Sequence, residues 1–190
     1  MSDIQVIERG ASNLAVFSLN SKLLQSNIIK IDGSINHINA SDIQSQLLYL
    51  INTSSVKKIS IYINSPGGSV YDGLSIYDMI QYAKSKDFVV ETICSGRAMS
   101  MGLILLISGT KGNRKAFKNS TILGHQVFGG FEGYLPDIKI EHKEIERLNN
   151  VLSNIIKENT SIENPEDFFD RDKYLTTDES LELSIIDSVI

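Results

Sequence analysis

Three residues whose side chains serve in nucleophilic catalysis lie beside predicted turns: Ser100, His125 and Asp172. Ser100 follows a predicted strand over residues 88–94 and begins an apolar helical run. The N–H groups at a helix start have no partner within the helix and favour negative charge, which acyl transfer develops on the attacked carbonyl oxygen. His125 follows a short predicted strand and precedes a glycine-rich stretch, where imidazole, which titrates near neutral pH, is suited to act as a general base.

Taken singly, each of these residues has a simpler structural interpretation. A serine at a helix start commonly caps the helix, and a histidine at a strand end commonly makes a structural hydrogen bond. Asp172 lies in a cluster of charges that is typical of a solvated surface. The nucleophile motif G-x-S-x-G does not fit, because residue 98 is an alanine. Cys94 lies in an apolar strand, which favours a small buried hydrophobic residue over a nucleophile.

The composition of the 190 residues is that of a globular protein, with 42% hydrophobic and 22% charged residues and a net charge of -5. The charges form no basic cluster, so nucleic-acid binding is not expected. The single cysteine allows no internal disulfide and favours a reducing compartment. The first residues lack a signal-peptide pattern, and the longest apolar run, residues 101–107, is too short to cross a membrane. We expect a cytoplasmic protein that does not bind membranes.

A metal or cofactor site is not predicted. The histidines at positions 37, 125 and 142 stand apart from one another, and the sequence has no C-x-x-C pair, so the usual ligand spacing of a zinc site is missing. Glycine-rich loops of the kinds that hold dinucleotides or nucleoside triphosphates are also missing.

The hydrophobic pattern predicts one α/β domain in which strands and helices alternate. The motif SDIQ at residues 41–44 is a capping box that predicts a helix over 41–52, and residues 58–64 alternate as a strand does. Further strands are predicted near 114–117 and 121–124, a turn at 95–98, a hairpin-like stretch over 126–134 and a long helix over 137–159. Ile138, Ile145, Leu148, Leu152 and Ile155 line that helix at nearly a seven-residue period, which indicates docking against another helix.

Five motifs occur in order and at near-constant spacing, and together they resemble the caseinolytic protease family ClpP over nearly the whole chain. They are YINSPGG at residues 62–68, TICSGRAMSMG at 92–102, HQVFGG at 125–130, DRDKYLT at 170–176 and LSIID at 183–187. The resemblance implies the repeated ββα superhelix of the ClpP and crotonase folds, with a long handle helix. It also implies a single peptidase domain over 1–190, with a flexible N-terminal segment over 1–20 and a handle region over 125–159.

The resemblance implies roles for individual residues. Ser100 matches the nucleophile of the family, His125 the base and Asp172 the acid of a serine endopeptidase. The backbone N–H groups of Gly68 and Met101 match the oxyanion hole. The other matching positions are Gly67, Ser69, Val70, Gly129 and Gly130 for substrate binding, with residues 129–133 as a strand beside the peptide, and Asp170 and Arg171 for coupling between rings.

The same resemblance implies the assembly and its partners. Two stacked heptameric rings would enclose a chamber in which unfolded polypeptides are cut to short peptides, and an ATP-driven Clp unfoldase would contact the N-terminal segment. Alternatives are a non-catalytic ring subunit, a capsid maturation protease of the phage type and a crotonase-type acyl-CoA enzyme. A plastid stroma is the alternative to the cytoplasm.

The sequence departs from the family pattern around the predicted site. Met99 replaces a small alanine, Gly124 stands where an apolar residue usually precedes the histidine, and Val127 replaces a proline whose ring would fix the backbone. Residues 83–91 run about three residues longer than is usual in the family. We expect these departures to affect rate or specificity more than the identity of the three catalytic residues.

Overall fold

The computed structural model describes residues 4–9 and 14–190. The strands are β1 (Gln5–Arg9), β2 (Leu14–Ser18), β3 (Ile28–Asp32), β4 (Lys58–Ser65), β5 (Val89–Met99), β6 (Arg114–Ala116), β7 (Thr121–Gly124), β8 (Lys173–Leu175) and β9 (Ser188–Val189). The helices are α1 (Leu19–Gln25), α2 (His37–Thr53), α3 (Val70–Ser85), α4 (Met101–Ile107), α5 (Leu135–Asn159), α6 (Pro165–Phe168) and α7 (Thr177–Glu182).

The main sheet is parallel at its centre, and its strands alternate with helices along the chain, which confirms the predicted α/β fold class. Strands β3, β4, β5, β6 and β9 lie side by side in that order, and all of these pairs are parallel. Strand β5 is long enough to serve two neighbours, because Thr92–Cys94 pair with β6 and Arg97–Met99 pair with β7. Strand β8 joins the far side of β7 in antiparallel pairing.

The core forms where apolar faces of the repeats meet. On β4, Ile59, Ile61 and Ile63 point to the same face and are fully buried, as the alternation of the sequence predicts. All seven residues of α4 are buried, because this helix packs among β5, α3 and α5. A helix that is covered on every side needs apolar residues all round, which explains its uninterrupted apolar sequence.

Two element boundaries differ from the sequence prediction because other contacts override the local pattern. Helix α2 begins at His37, where Asn36 and Asn39 form the capping box, so the box predicted at Ser41 is wrong. Strand β5 continues through the turn predicted at 95–98, because pairing with β7 holds that segment extended. A register shift between Ile63 and Ser65 of β4 accompanies this continuation.

The hairpin-like stretch predicted over 126–134 is also wrong, as is a strand over 129–133. Residues 125–134 of the structure form an exposed loop without strand pairing to the rest of the described chain. A strand needs a neighbour for its N–H and C=O groups, and a glycine-rich segment without one has little else to hold it extended.

The two halves of the long helix α5 are packed differently. The C-terminal half of α5 packs on α4 and α6, whereas its N-terminal half extends beyond the core. The Tyr71 hydroxyl donates to Glu144 at 2.7 Å, and Arg147 donates to the same carboxylate, so α3 is tethered to the middle of α5. These hydrogen bonds hold the Glu144 pKa at about 2, with Arg147 as the largest cause.

The described parts of the N-terminal segment form an antiparallel pair, β1 with β2, which leads directly into α1. The flexibility expected over 1–20 stays a prediction, and part of that segment lies outside the described residues. Within the described ranges, no helix is long and apolar enough to cross a membrane, and no three potential metal ligands cluster together.

Candidate active site

The three predicted catalytic residues lie at the ends of three neighbouring strands. Met99 of β5 is paired with Leu123 of β7, so Ser100 follows one strand and His125 follows the other at the same edge. Gly124 is paired with Lys173 of β8. The residues that come next on the two sides of this last pair are His125 and Asp172.

The backbone turns sharply at Ser100. Its φ of 52° and ψ of −121° are unusual for a residue with a side chain. The side chain makes no hydrogen bond to cap α4, so the interpretation of Ser100 as a helix cap is wrong. A serine held in a strained turn without a capping role is typical of an exposed nucleophile.

Gly67 explains how the turn is accommodated. A Cβ atom at this position would lie 2.6 Å from Ser100 Cβ and 2.7 Å from the Met99 carbonyl oxygen, so only glycine lets the two backbones approach so closely. Its own φ of +93° also favours glycine. Gly67 is buried against Ser100 and does not line the cavity. It therefore shapes the turn at Ser100, and the structure does not place it where a substrate would touch it.

The two predicted oxyanion donors line one cavity together with Ser100 and His125. Neighbouring bonds hold the Gly68 segment: the Ile35 N–H donates to Gly67 O at 2.8 Å, and the Ser69 N–H donates to Ile35 O at 3.0 Å. Within the described residues, neither Gly68 nor Met101 uses its own backbone N–H in a hydrogen bond. Two unused N–H groups beside a serine are what a developing oxyanion requires.

The His125 ring is oriented by a contact with the next residue of the chain. Its Nδ1 lies 2.5 Å from the Gln126 carbonyl oxygen. Because a carbonyl oxygen only accepts, Nδ1 is the donor in this contact, and within the described residues no hydrogen bond occupies Nε2. Within residues 4–9 and 14–190, no hydrogen bond joins Ser100 Oγ, the His125 ring and the exposed Asp172 carboxylate.

The two residues predicted to couple the rings lie just before the predicted acid. Arg171 donates to the backbone oxygen of Asp170 at 2.8 Å and forms an ion pair with its carboxylate at 3.3 Å. Both side chains are exposed. Among the described residues these two side chains therefore pair with each other, and neither is hydrogen-bonded to Asp172.

The cavity beside Ser100 has a volume of about 280 Å³ and mostly apolar walls. Its walls include Val70, Leu103, Ile104, Leu152, Ile156 and Phe169. Ligand pockets for drug-sized molecules usually span about 300–1,000 Å³, so a cavity at the lower limit suits one side chain of a larger substrate.

The other predicted substrate residues divide into two groups. Ser69 and Val70 lie at the start of α3, where Ser69 caps the helix by accepting from the Asp72 N–H at 3.3 Å and Val70 lines the cavity. Gly129 and Gly130 lie in the exposed loop after His125 and do not line the cavity.

Two departures from the family pattern have structural explanations. The Val127 N–H donates to Asn149 Oδ1 of α5 at 3.4 Å, a bond that a proline cannot make. Gly124 leaves room for the ring of Phe169, because a Cβ at residue 124 would lie 2.2 Å from Phe169 Cε1. Sequence reasoning did not identify Phe169, since nothing in the local pattern joins residues so far apart in the chain.

The cysteine is not a second nucleophile. Cys94 is buried in β5, and burial raises the pKa of its thiol to about 11. A thiol that stays protonated at neutral pH is a poor nucleophile.

The arrangement around Ser100 is that of a serine hydrolase. It combines a serine in a strained turn, unused backbone N–H groups beside that serine and a histidine on the adjacent strand.

Comparison with known proteins narrows that class. The family model described as Clp protease matches residues 10–190. The chain belongs to the Clp protease family, which confirms the predicted family and its serine endopeptidase activity, whereas the roles of individual residues stay predictions.

Curated relatives of this family cover nearly the whole chain. The ATP-dependent Clp protease proteolytic subunit of Porphyromonas gingivalis is 41% identical over 187 residues, which are 97% of this chain and 83% of the relative. The protein of the same name from Borrelia garinii subsp. bavariensis is 40% identical, covering 97% of this chain and 95% of the relative. The one from Bacteroides fragilis is 41% identical, with coverage of 97% and 89%.

Proposed function

We propose that the chain is the peptide-cutting subunit of an ATP-dependent Clp protease, with Ser100 as nucleophile, His125 as base and Asp172 as acid. The observation that carries this assignment is the position of the three residues at the ends of β5, β7 and β8, with Ser100 in a strained turn. The relatives named as proteolytic subunits support the same function.

The chemistry follows from these positions. His125 Nε2 accepts the Ser100 hydroxyl proton while Ser100 Oγ attacks the carbonyl carbon of the peptide. The Gly68 and Met101 N–H groups donate to the oxygen that becomes negative. The protonated His125 then gives its proton to the leaving amine, and a water molecule releases the acyl group by the same steps in reverse.

The Asp172 carboxylate must approach the His125 ring for this chemistry, and assembly is the step that we propose brings them together. His125 is followed by the exposed loop 125–134, and Asp172 is preceded by the exposed pair of Asp170 and Arg171. A partner that orders these two segments would turn the His125 ring from Gln126 towards Asp172. We therefore assign substrate pairing to Gly129 and Gly130 only after that loop is ordered.

The partners in this proposal are other copies of the chain, an unfoldase and unfolded substrates. The N-terminal half of α5 exposes large apolar side chains, among them Leu135 and Ile140, which supports stacking of two heptameric rings through the handle region. Ile7 and Val16 of the β1–β2 pair are exposed and suit contact with an ATP-driven Clp unfoldase. We place the assembly in the cytoplasm, where Cys94 stays reduced.

Intact mass after fluorophosphonate labelling tests the nucleophile. The wild-type protein should gain one adduct and hydrolyse fluorogenic peptides, whereas Ser100→Ala should do neither. Ser41→Ala, at an exposed serine of α2, is the matched control and should behave as wild type. Equal adducts on wild type and Ser100→Ala would contradict the assignment. Assembled rings without any adduct would favour the non-catalytic subunit.

A further inference from the structure

The aromatic residue Phe169 forms part of the wall of the apolar cavity beside Ser100. Its side chain is only 2% exposed, and its ring lines the same cavity as Ser100 and His125. The ring meets Phe168 edge-on, with centroids 4.8 Å apart, which fixes its orientation. A buried ring with a fixed orientation sets the shape of the cavity wall.

Space for this ring exists only because residue 124 is glycine. A Cβ at Gly124 would lie 2.2, 2.4 and 2.6 Å from three atoms of the Phe169 ring, distances far inside van der Waals contact. Gly124 is the residue before His125 and also lines the cavity. The phenyl ring thus occupies the volume that a side chain on β7 would take, and it reaches the cavity from the segment before Asp170.

We propose that Phe169 is a specificity-determining residue, which limits this cavity to an aliphatic side chain of the substrate residue whose carbonyl Ser100 attacks. Leucine and methionine enter the cavity, whereas the larger aromatic residues meet the Phe169 ring. The inference rests on the proposed role of Ser100, because that role places the attacked residue at this cavity. Unlike the general apolar character of the walls, the size limit depends on the Gly124–Phe169 pair.

The test compares peptide substrates that differ only in leucine or tryptophan before the cut bond. The assembled wild-type enzyme should prefer leucine, and Phe169→Ala should shift the ratio of kcat/KM towards tryptophan by about tenfold, since small changes in pocket size alter selectivity by about 10–200-fold. Phe169→Leu, which keeps an apolar core residue, should shift the same ratio in the same direction. Because a ratio is internal to one preparation, it does not depend on the fraction of folded enzyme.

Phe88→Ala is the matched control for loss of a buried ring. Phe88 is 3% exposed and precedes β5 at the end opposite Ser100. It should lower stability as Phe169→Ala does, but leave the leucine-to-tryptophan ratio at the wild-type value. A wild-type ratio in both Phe169 variants would overturn the proposal, and so would an equal shift in Phe88→Ala.

A second measurement tests the contact itself. Gly124→Ala should lower Tm, because its Cβ meets the ring, and the double variant Gly124→Ala/Phe169→Ala should lose less than the sum of the two single losses. Additive losses would show that Gly124 and Phe169 do not interact, which would contradict the contact on which the size limit depends. Failure of the Ser100 assignment is recognised separately, because Ser100→Ala would then keep its fluorophosphonate adduct and its peptidase activity.

Discussion

The backbone N–H of Ser100 donates to the carbonyl oxygen of Leu123 at 2.9 Å, two residues before His125. This bond extends the β5–β7 pairing by one residue, from Met99 to Ser100. The backbones that carry the proposed nucleophile and base are therefore already fixed relative to each other. We therefore expect activation to require rotation of side chains and ordering of the loop 125–134, without movement of the strands.

Replacing Gly67 with alanine should disable the nucleophile. The new Cβ would lie 2.6 Å from Ser100 Cβ and would push the turn out of place. A displacement of about 1 Å at a reacting group can cost about 10²-fold in rate, so labelling of Ser100 by fluorophosphonate should slow by roughly that factor.

Gly33→Ala is the control for the backbone strain of Gly67→Ala. Gly33 has a φ of +81°, close to the +93° of Gly67, but a Cβ there would have no neighbour within 4 Å. This variant should be destabilised by positive φ, which costs about 1–2 kcal/mol, yet label at the wild-type rate. Equal rates in the two alanine variants would mean that the close approach of Gly67 to Ser100 is not needed.

Asp172→Asn should abolish most of the activity of the assembled enzyme while leaving its fold intact. Removing the charge of a triad aspartate elsewhere lowers kcat by about 10⁴, because the imidazole loses its orientation and the stabilisation of its charged form. Asp167→Asn, at an exposed carboxylate of the nearby α6, should keep wild-type kcat. A kcat of Asp172→Asn within a few-fold of wild type would assign the acid to another residue.

The sequence predicts the fold class because alternating strand and helix patterns are local. Strand β4, for example, follows directly from the spacing of its apolar residues. The long β5 does not, since the pairing of its second half depends on Leu123 and its neighbours, which follow much later in the chain. Likewise, nothing local marks Asn36 rather than Ser41 as the start of α2.

The candidate site is predictable to the level of motifs but not of contacts. Ser100, His125 and Asp172 emerge from motifs in a fixed order, and the structure places them at adjacent strand ends. The hydrogen bonds between them depend on loop and side-chain conformation, which a motif does not determine. Phe169 shows the same limit, because only packing in three dimensions relates its ring to Gly124.

Glu91→Gln should remove a stabilisation that depends on pH. Glu91 lies on β5 with a side chain only 9% exposed, and it accepts from Lys115 of β6 and from Ser60 and Lys58 of β4. Burial pushes its pKa upward, but these hydrogen bonds, with that of Lys115 the largest, outweigh burial and hold the pKa at about 2.

The direction of the pH effect follows from that lowered pKa. The stabilisation is present above the ordinary pKa of about 4.5 and is lost as pH falls from there towards 2. It amounts to at most about 3 to 4 kcal/mol, from 1.36 kcal/mol per pKa unit. Calorimetry should show that Tm of Glu91→Gln is lower at pH 7 and converges with wild type at acidic pH. Glu163→Gln, at an exposed position, should track wild type throughout, and a constant difference for Glu91→Gln would contradict the ionic origin.

Ile140→Asp should separate the two rings of the proposed assembly. Ile140 is 65% exposed on the N-terminal half of α5, so aspartate there costs a single chain little. In a helix-to-helix interface the same carboxylate would be buried without a partner, which is strongly unfavourable. Native mass spectrometry should therefore find particles of half the wild-type mass. Ile140→Val, which keeps the face apolar, should retain the full mass. Since the loop 125–134 leads into this helix, the half-mass particles should also be labelled more slowly at Ser100. Labelling of these particles at the wild-type rate would show that the catalytic residues align without ring stacking.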